Sequence, residues 1–397
     1  MHTPQHHKKR KLNPGFVVMV IVIVAALALA AVALGHALKK SEPAPASSSE
    51  AVSSRPAVSS STASSSSKPA SLAPVSSSAA PVSSSAPPAG PANPLTGVAT
   101  ETDLSANRPI AVMINNIKVA TPQYGIRSAD MIFEVLAEGG ITRLEGIFQD
   151  MGAAATIGSV RSARPYYIDI AQGFDAIYIH AGGSDDAYVE IKNRGLDDID
   201  GVNGRDDVFF RDAWRRQNMG YEHSLMLDTT LLPDFLSKYG YRTAHEDGYE
   251  YAMSFADDAA PKGENAVTVT ANFSTGSGKT TTFEYDAASG KYLVSEYGKA
   301  MTDVIDDSQL AVKNVFVLSA EMSQIANDSK GRMSCGLIGT GSGYFACGGK
   351  YTKIVWSKNS ATSQFAFSLE DGTNLTLGRG NSYVCVVPSG SGSADFS

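Results

Sequence analysis

Residues 175–188, with the sequence DAIYIHAGGSDDAY, combine the signals of a buried strand, a tight turn and a helix start. The short run 176–181 is apolar apart from His180, which is typical of a strand that is buried on both faces. Ser184 stands where it can cap a helix over 185–193, and Gly195 follows the end of that helix. A strand that leads through a glycine turn into a helix is a building unit of an α/β domain.

Similar signals flank this stretch on both sides. Apolar or alternating runs predict strands over 109–115, 130–137 and 142–149, and Pro165 can open a helix over 165–172. A further helix is predicted over 229–239, with Asp228 as its cap. After about residue 245, short alternating runs broken by turn residues indicate antiparallel strands. We therefore expect an α+β fold, with a mixed α/β domain over 96–244 and a β-rich, mostly antiparallel domain over 245–397.

The N-terminal region carries a candidate membrane anchor. Residues 16–38 contain no formal charge, and 23 helical residues at about 1.5 Å each extend roughly 34 Å, enough to cross a bilayer core. Four basic residues, Lys8, Lys9, Arg10 and Lys11, precede this segment. The positive-inside rule therefore predicts a single-pass cell-membrane protein with residues 1–15 in the cytoplasm and the bulk of the chain outside. The alternative is a cleaved signal peptide, although the apolar region of such peptides is usually about 7–15 residues.

The segment that follows the candidate anchor differs in composition from the rest of the chain. Residues 39–95 are dominated by Ser, Ala, Pro and Val, which predicts a disordered tether. Beyond it, residues 96–397 hold 25 basic and 38 acidic residues, a net charge of −13. So acidic a region argues against binding to nucleic acid or to anionic membrane surfaces. Contact with the membrane is therefore expected through the N-terminal helix only.

The basic residues are segregated by type, and this points to a ligand site. Residues 120–230 contain nine arginines and one lysine, and the planar guanidinium fork suits carboxylate and phosphate groups. Several of these arginines, over 205–216, have acidic neighbours with which they can pair. We expect a ligand-binding site that is built from the following residues: Arg143, Arg161, Arg164, His180, Gly182, Gly183 and Ser184. The glycines allow close backbone approach, and the capped helix offers free amides to an anion.

The same region also supports an enzymatic alternative. Glu134 and Glu138 are four residues apart, so in a strand they would face the same side. Two carboxylates near His180 could act as acid and base in the hydrolysis of a glycoside or phosphodiester, and His223 is a further candidate. The alternative for His180 is a purely structural role, with its ring hydrogen-bonded at the strand end.

Other motifs point away from nucleotide and metal chemistry. The stretch STGSGKT (274–280) resembles a phosphate-binding loop, but Phe273 stands where the first glycine is required, and a strand follows where a helix is needed. We interpret it as a hairpin loop. The sequence has no metal-ligand spacing, so neither a metal nor a cofactor is expected. The three cysteines, Cys335, Cys347 and Cys385, are expected to be small buried residues, with a Cys335–Cys347 bridge as the alternative.

Several long motifs carry a family resemblance. They are RPIAVMINN (108–116), ADMIFEVLAEGGITR (129–143), IGSVRSARPYYIDIA (157–171), the stretch at 175–188 and GYFACGGKYTKIVWSK (343–358). In these motifs, and over about 96–390, the chain resembles the YerB-like family of bacterial envelope proteins. The resemblance implies an N-terminal α/β part and a C-terminal β-rich part, both of unknown function, in proteins that are often lipoproteins. In this chain an uncharged segment stands where those proteins carry a lipidated cysteine.

Together these observations favour a membrane-anchored extracytoplasmic protein. Its expected activity is binding of an anionic or sugar-like component of the cell wall or envelope. Two alternatives stay open: a hydrolase that uses a Glu/His pair, and a scaffold or regulatory partner of another envelope protein.

Overall fold

The computed structural model describes residues 90–274 and 278–397. The predicted anchor over 16–38 and nearly all of the predicted tether lie outside these residues. Among the described residues, no helix combines the length and the apolar character needed to cross a bilayer. All three cysteines lie within the described part and are free thiols, so the alternative of a Cys335–Cys347 bridge is not realised.

The first half of the described chain alternates strands and helices. Its helices α1 to α4 are Pro165–Gly173, Asp185–Arg194, Ala213–Asn218 and Leu232–Tyr239. Its strands β1 to β8 are Ile110–Asn115, Met131–Leu136, Thr142–Phe148, Thr156–Gly158, Ile177–His180, Asp198–Asp200, Phe209–Arg211 and Leu225–Asp228. Short 3-10 helices are Lys118–Ala120, Ile126–Ser128, Glu138–Gly140, Tyr221–His223 and Thr229–Leu231.

The second half consists of strands, as its alternating sequence predicts. Strands β9 to β16 are Ser254–Ala256, Glu264–Asn265, Thr268–Asn272, Thr280–Asp286, Lys291–Glu296, Lys299–Ala300, Ala311–Val312 and Asn314–Ala320. Strands β17 to β24 are Met322–Gln324, Met333–Cys335, Gly339–Cys347, Lys350–Lys358, Ala366–Leu369, Thr376–Gly378, Ser382–Pro388 and Ser393–Phe396. Strand β12 begins at Thr280 and pairs antiparallel with β11, so a strand and not a helix follows the phosphate-loop-like stretch, as the hairpin interpretation predicts.

The stretch at 175–188 forms the predicted strand, turn and helix start. The Ser184 side chain accepts a hydrogen bond from the Ala187 amide and caps α2. Gly195 ends that helix in the left-handed conformation, at φ 60°, which glycine adopts without steric cost. Gly240 ends α4 in the same way.

One large sheet joins the two halves of the chain. Its strands run in the order β10-β20-β19-β16-β23-β2-β3-β1-β5-β6, with β21 paired to β20. The connection between the halves is the parallel pairing of β2 with β23, in which Glu134 lies opposite Cys385. A second, antiparallel sheet contains β14-β13-β12-β11-β24, with β15 paired to β13.

The faces of the central sheet bury different partners. On β2, Phe133 and Val135 belong to one apolar cluster, which also contains residues of α1 and α2. Ile132 and Leu136 alternate with them and belong to the other cluster, which contains residues of α4 and of the second sheet. Helices α1 and α2 therefore cover one face of β2, which we call the helical face, and the second sheet covers the opposite face.

Candidate functional site

Two arginines of the predicted site converge on one carboxylate. Arg143, at the start of β3, and Arg164, just before α1, both donate through Nη2 to Oε1 of Glu138. Arg164 Nε also donates to Oε2 of Glu138 at 3.2 Å. The remaining donors bind the main chain, with Arg143 Nη1 2.9 Å from the Ser162 carbonyl and Arg164 Nη1 2.6 Å from that of Ala163.

The charges in this group are only partly exposed. The side chains of Arg143 and Arg164 are 5% and 9% exposed, whereas that of Glu138 is 21% exposed. Burial opposes ionisation of Glu138, but the two neighbouring guanidinium charges outweigh it, so the pKa of Glu138 lies below its ordinary value. The pKa of Arg143 is lowered by burial and by the charge of Arg164. The carboxylate thus neutralises one of two closely spaced positive charges.

Arg161 lies beside this pair and holds a weaker partner. Its guanidinium group donates to the Glu222 carbonyl at 3.1 Å and approaches the Glu222 carboxylate at 3.4 Å. The Glu222 side chain is 73% exposed, so this ion pair contributes little to stability. Arg161 Nε is buried and has no hydrogen-bond partner within the described residues. We call Arg143, Arg161 and Arg164, together with Glu138, the arginine cluster.

His223 adjoins Arg161, and one of its ring nitrogens is bound by the side chain of Asn115. Its Nδ1 lies 2.9 Å from the side-chain nitrogen Nδ2 of Asn115, which can only donate, so Nδ1 accepts. Burial, and then the charge of Arg161, lowers the pKa of His223 below 6.5. The ring is therefore neutral at physiological pH, and its Nδ1 already has a partner within the chain.

His180 is enclosed by its own strand and turn. The residue is fully buried, with Nδ1 2.9 Å from the Gly182 carbonyl and Nε2 3.0 Å from a carboxylate oxygen of Asp198. Its ring stacks on Tyr178, with 5.1 Å between centroids. Both ring nitrogens are thus occupied inside the protein, which is the structural alternative considered for this residue.

The glycine turn and the arginine-bearing segment are neighbours. Ala163 pairs with Gly183 in a parallel bridge, and the Ala163 amide donates to the Gly182 carbonyl at 2.9 Å. The Ser184 amide donates a hydrogen bond to the Ala163 carbonyl at 3.3 Å. Segment 158–164 therefore runs beside the turn. These backbone groups bond to one another, and the Ser184 oxygen is used in capping.

The expectation that Glu134 and Glu138 face the same side is wrong. Strand β2 ends at Leu136, and Glu138 lies in a 3-10 turn, so strand alternation does not reach it. Arg143, which binds Glu138, is paired in register with Val135 on the helical face. Glu134 alternates with Val135 and therefore points to the opposite face. The two glutamate side chains therefore lie toward opposite faces of the sheet.

Glu134 instead belongs to a buried network that the sequence analysis missed. Its oxygens lie within 3.1 Å of five partners, namely Asn116, Thr142, Lys279, Thr281 and Tyr383. The Lys279 ammonium is 3.0 Å from Glu134 Oε1 and 2.9 Å from Glu296 Oε2. We call Glu134, Lys279 and Glu296 the carboxylate–lysine cluster.

The sequence around STGSGKT (274–280) carries a signal for this cluster. In β12, Thr281 and Phe283 are buried and alternate with more exposed residues. Lys279 stands two residues before Thr281, in the same inward register, so its burial follows from the period of the strand. Burial opposes the charge of Lys279, but Glu134 and then Glu296 outweigh it and raise the pKa of the ammonium.

The described part of the chain also contains cavities. One cavity of about 320 Å³ is lined by Arg108, Asp175 and Arg242, among others. Another, of about 300 Å³, is lined by residues that include Gln123 and Glu296. No residue of the arginine cluster lines either cavity. Within residues 90–274 and 278–397, no three His, Cys, Asp or Glu side chains are grouped so that they could hold a metal ion.

Comparison with known sequences gives a relative in Bacillus subtilis (strain 168). The chain is 28% identical over 295 residues to the protein named "Putative lipoprotein YerB", and the match covers 74% of this chain and 85% of the relative.

A solved structure supports the same relationship. The crystal structure of YerB protein from Bacillus subtilis matches with a TM-score of 0.66 at 27% identity, and the match covers 77% of this chain and 99% of that chain. Two family descriptions match in order: the N-terminal domain of the protein of unknown function DUF3048 over 95–242, and its C-terminal domain over 269–384. The chain therefore belongs to the two-part DUF3048 family, and it is similar to YerB in sequence and fold.

Proposed function

We propose that the chain is a membrane-associated, extracytoplasmic protein that binds an anionic group of a cell-envelope component at the arginine cluster. Its location outside the cytoplasm is supported by the name of the Bacillus relative, a "Putative lipoprotein". The uncharged segment at 16–38 and the Ser/Ala/Pro-rich segment after it are consistent with a membrane attachment and a spacer.

The observation that carries the binding proposal is the convergence of Arg143 and Arg164 on one carboxylate. Two nearly buried guanidinium groups share a single anion, and a third, that of Arg161, has only a loose and exposed partner. The arginine cluster therefore has surplus positive charge in a region of the chain that is otherwise acidic. A phosphate or carboxylate of a ligand can form the bidentate bonds that arginine favours.

In this proposal Glu138 occupies the position of the ligand's anionic group. Glu138 is followed by Gly139 and Gly140, both with φ of 71°, a conformation that glycine adopts without strain. The turn can therefore present Glu138 differently at little steric cost when an external anion takes its place. Because Glu138 competes with the ligand, its removal should strengthen binding.

Calorimetric titration of the full-length chain tests this proposal. The probes are inorganic phosphate and a soluble glycerol-phosphate polymer, at fixed ionic strength. We expect binding that is weakened by about tenfold or more in an Arg161→Ala/Arg164→Ala variant, because charged hydrogen bonds contribute about 1.5–3 kcal/mol each.

The matched control is Arg205→Ala/Arg216→Ala, which removes two exposed arginines elsewhere in the same half. It should bind as the native chain does. If the native chain binds neither probe, the proposal is contradicted. Equal affinity of the native chain and the Arg161→Ala/Arg164→Ala variant would contradict it as well.

A further inference from the structure

The cavity of about 300 Å³ lies between the segment after β1 and the β13–β14 hairpin. Its lining includes Lys118 and Gln123 from the first element and Glu296, Tyr297 and Lys299 from the second. Its volume is at the lower end of the range of small-molecule sites, about 300–1,000 Å³. The cavity therefore suits a small ligand.

Two residues of the cavity wall hold hydrogen-bond acceptors that are not used. Gln123 is fully buried, and its amide nitrogen donates to the Asn115 carbonyl at 3.1 Å and to Asn116 Oδ1 at 2.9 Å. Its Oε1 has no hydrogen-bond partner among the described residues, and the same is true of Oε1 of Glu296, which is 5% exposed. Buried polar atoms in native proteins nearly always have a partner. Two unpaired acceptors in one wall indicate a site for a donor group.

The charge of the carboxylate–lysine cluster specifies the kind of donor. A single ammonium, that of Lys279, lies between the carboxylates of Glu134 and Glu296. With both acids ionised, the cluster carries surplus negative charge away from solvent, which is costly. Burial, in addition to the charge of Glu134, raises the pKa of Glu296. A second positive group beside Glu296 would balance this charge.

The outer part of the cavity has the opposite charge. Lys118 and Lys299 both line it and are both exposed to solvent. Two ammonium groups near solvent suit a carboxylate on the outer end of the ligand. The cavity is therefore negative at its buried wall and positive where it meets solvent.

We propose that this cavity binds a small zwitterion, a free α-amino acid. The ligand's ammonium group donates to Glu296 and Gln123, and its carboxylate faces Lys118 and Lys299. No residue of the arginine cluster lines this cavity, so the two binding proposals can be tested independently.

Thermal-shift titration of the full-length chain with alanine tests the proposal. We expect the unfolding temperature to rise with alanine concentration, because a ligand that binds only the folded state stabilises it. Acetate and methylamine, each carrying one half of the zwitterion, should bind about tenfold more weakly or worse, since each lacks one charged contact.

Two variants probe the opposite ends of the cavity. Glu296→Gln should weaken alanine binding about tenfold by removing the buried charge. Because that variant also alters the carboxylate–lysine cluster, Lys299→Glu provides a surface change that should weaken binding without disturbing the core. Lys353→Glu, at an exposed position on β20, is the matched control and should leave alanine binding unchanged.

Three results would overturn the proposal: no shift of the native chain with alanine, acetate as effective as alanine, or unchanged affinity in folded Glu296→Gln or Lys299→Glu. The Arg161→Ala/Arg164→Ala variant should bind alanine normally. Loss of alanine binding in that variant would show that the ligand occupies the arginine cluster, and would overturn the assignment to this cavity.

Discussion

At the residue scale, the buried carboxylates differ in how many partners they have. Glu134 has five within hydrogen-bond distance, whereas both oxygens of Glu145 lack a partner among the described residues. Burial, with the charge of Asp169 in addition, raises the pKa of Glu145 well above its ordinary value. Burial without a hydrogen-bond partner therefore favours the protonated form of Glu145 in the folded chain.

This protonation predicts a pH-dependent loss of stability. The unfolded chain releases the Glu145 proton as pH rises through about 4.5, whereas the folded chain keeps it to higher pH. The stability of the folded chain therefore falls as pH rises above about 4.5. The Glu145→Gln variant has no ionisable group at this position, so its stability does not fall with pH for this reason. We expect the variant to be more stable than the native chain at about pH 7.5, on the order of 1 kcal/mol, and nearly equal at about pH 4.5.

Urea unfolding at the two pH values measures this difference. Glu284→Gln, at an exposed position on β12, should change stability by less than about 0.5 kcal/mol at either pH. A Glu145→Gln variant that is less stable than the native chain at the higher pH would show that Glu145 is ionised and paired in the folded state.

At the element scale, local sequence predicts the strands and helices near the site but not how they pair. The strand at 109–115, the helix that starts at Pro165 and the helix capped by Ser184 all follow from periodicity and capping, which act over a few residues. The pairing of β2 with β23 brings together positions 134 and 385. Such a contact depends on the packing of the whole chain, and no local pattern encodes it.

In the candidate site too, local contacts could be predicted from the sequence and long-range contacts could not. The approach of segment 158–164 to the turn at Gly182 is local enough to predict. Glu138 was misplaced because β2 stops at Leu136, two residues before the position where alternation was assumed to continue. Lys279 and Glu296 were missed because their partner, Glu134, belongs to the other half of the chain.

The shared sheet predicts that the two halves unfold together. The chain has two tryptophans, Trp214 in α3 of the first half and Trp356 in β20 of the second. Because the halves are joined through the β2–β23 pairing, fluorescence of either tryptophan should report the same transition as far-UV circular dichroism.

The variants Trp214→Phe and Trp356→Phe leave one reporter in each half. In each variant, the midpoints from fluorescence and from circular dichroism should coincide, even if Trp356→Phe lowers both by disturbing the core. A fluorescence transition that is clearly separated from the dichroism transition would mean that one half unfolds independently of the other.

At the scale of the whole molecule, charge decides where an anion can bind. Residues 96–397 carry a net charge of −13, which repels anions over the range set by ionic strength. An anionic ligand must therefore be held by a local excess of positive charge. The arginine cluster provides such an excess, with Glu138 as its internal counter-ion.

The affinity of the Glu138→Gln variant for inorganic phosphate tests this account most directly. Calorimetry at fixed ionic strength compares that variant with the native full-length chain, with folding verified by circular dichroism. Because an uncharged amide at this position would no longer neutralise Arg143 and Arg164, the account predicts binding that is tighter by about tenfold. Equal or weaker binding by the folded variant would contradict the claim that Glu138 holds the place of an external anion.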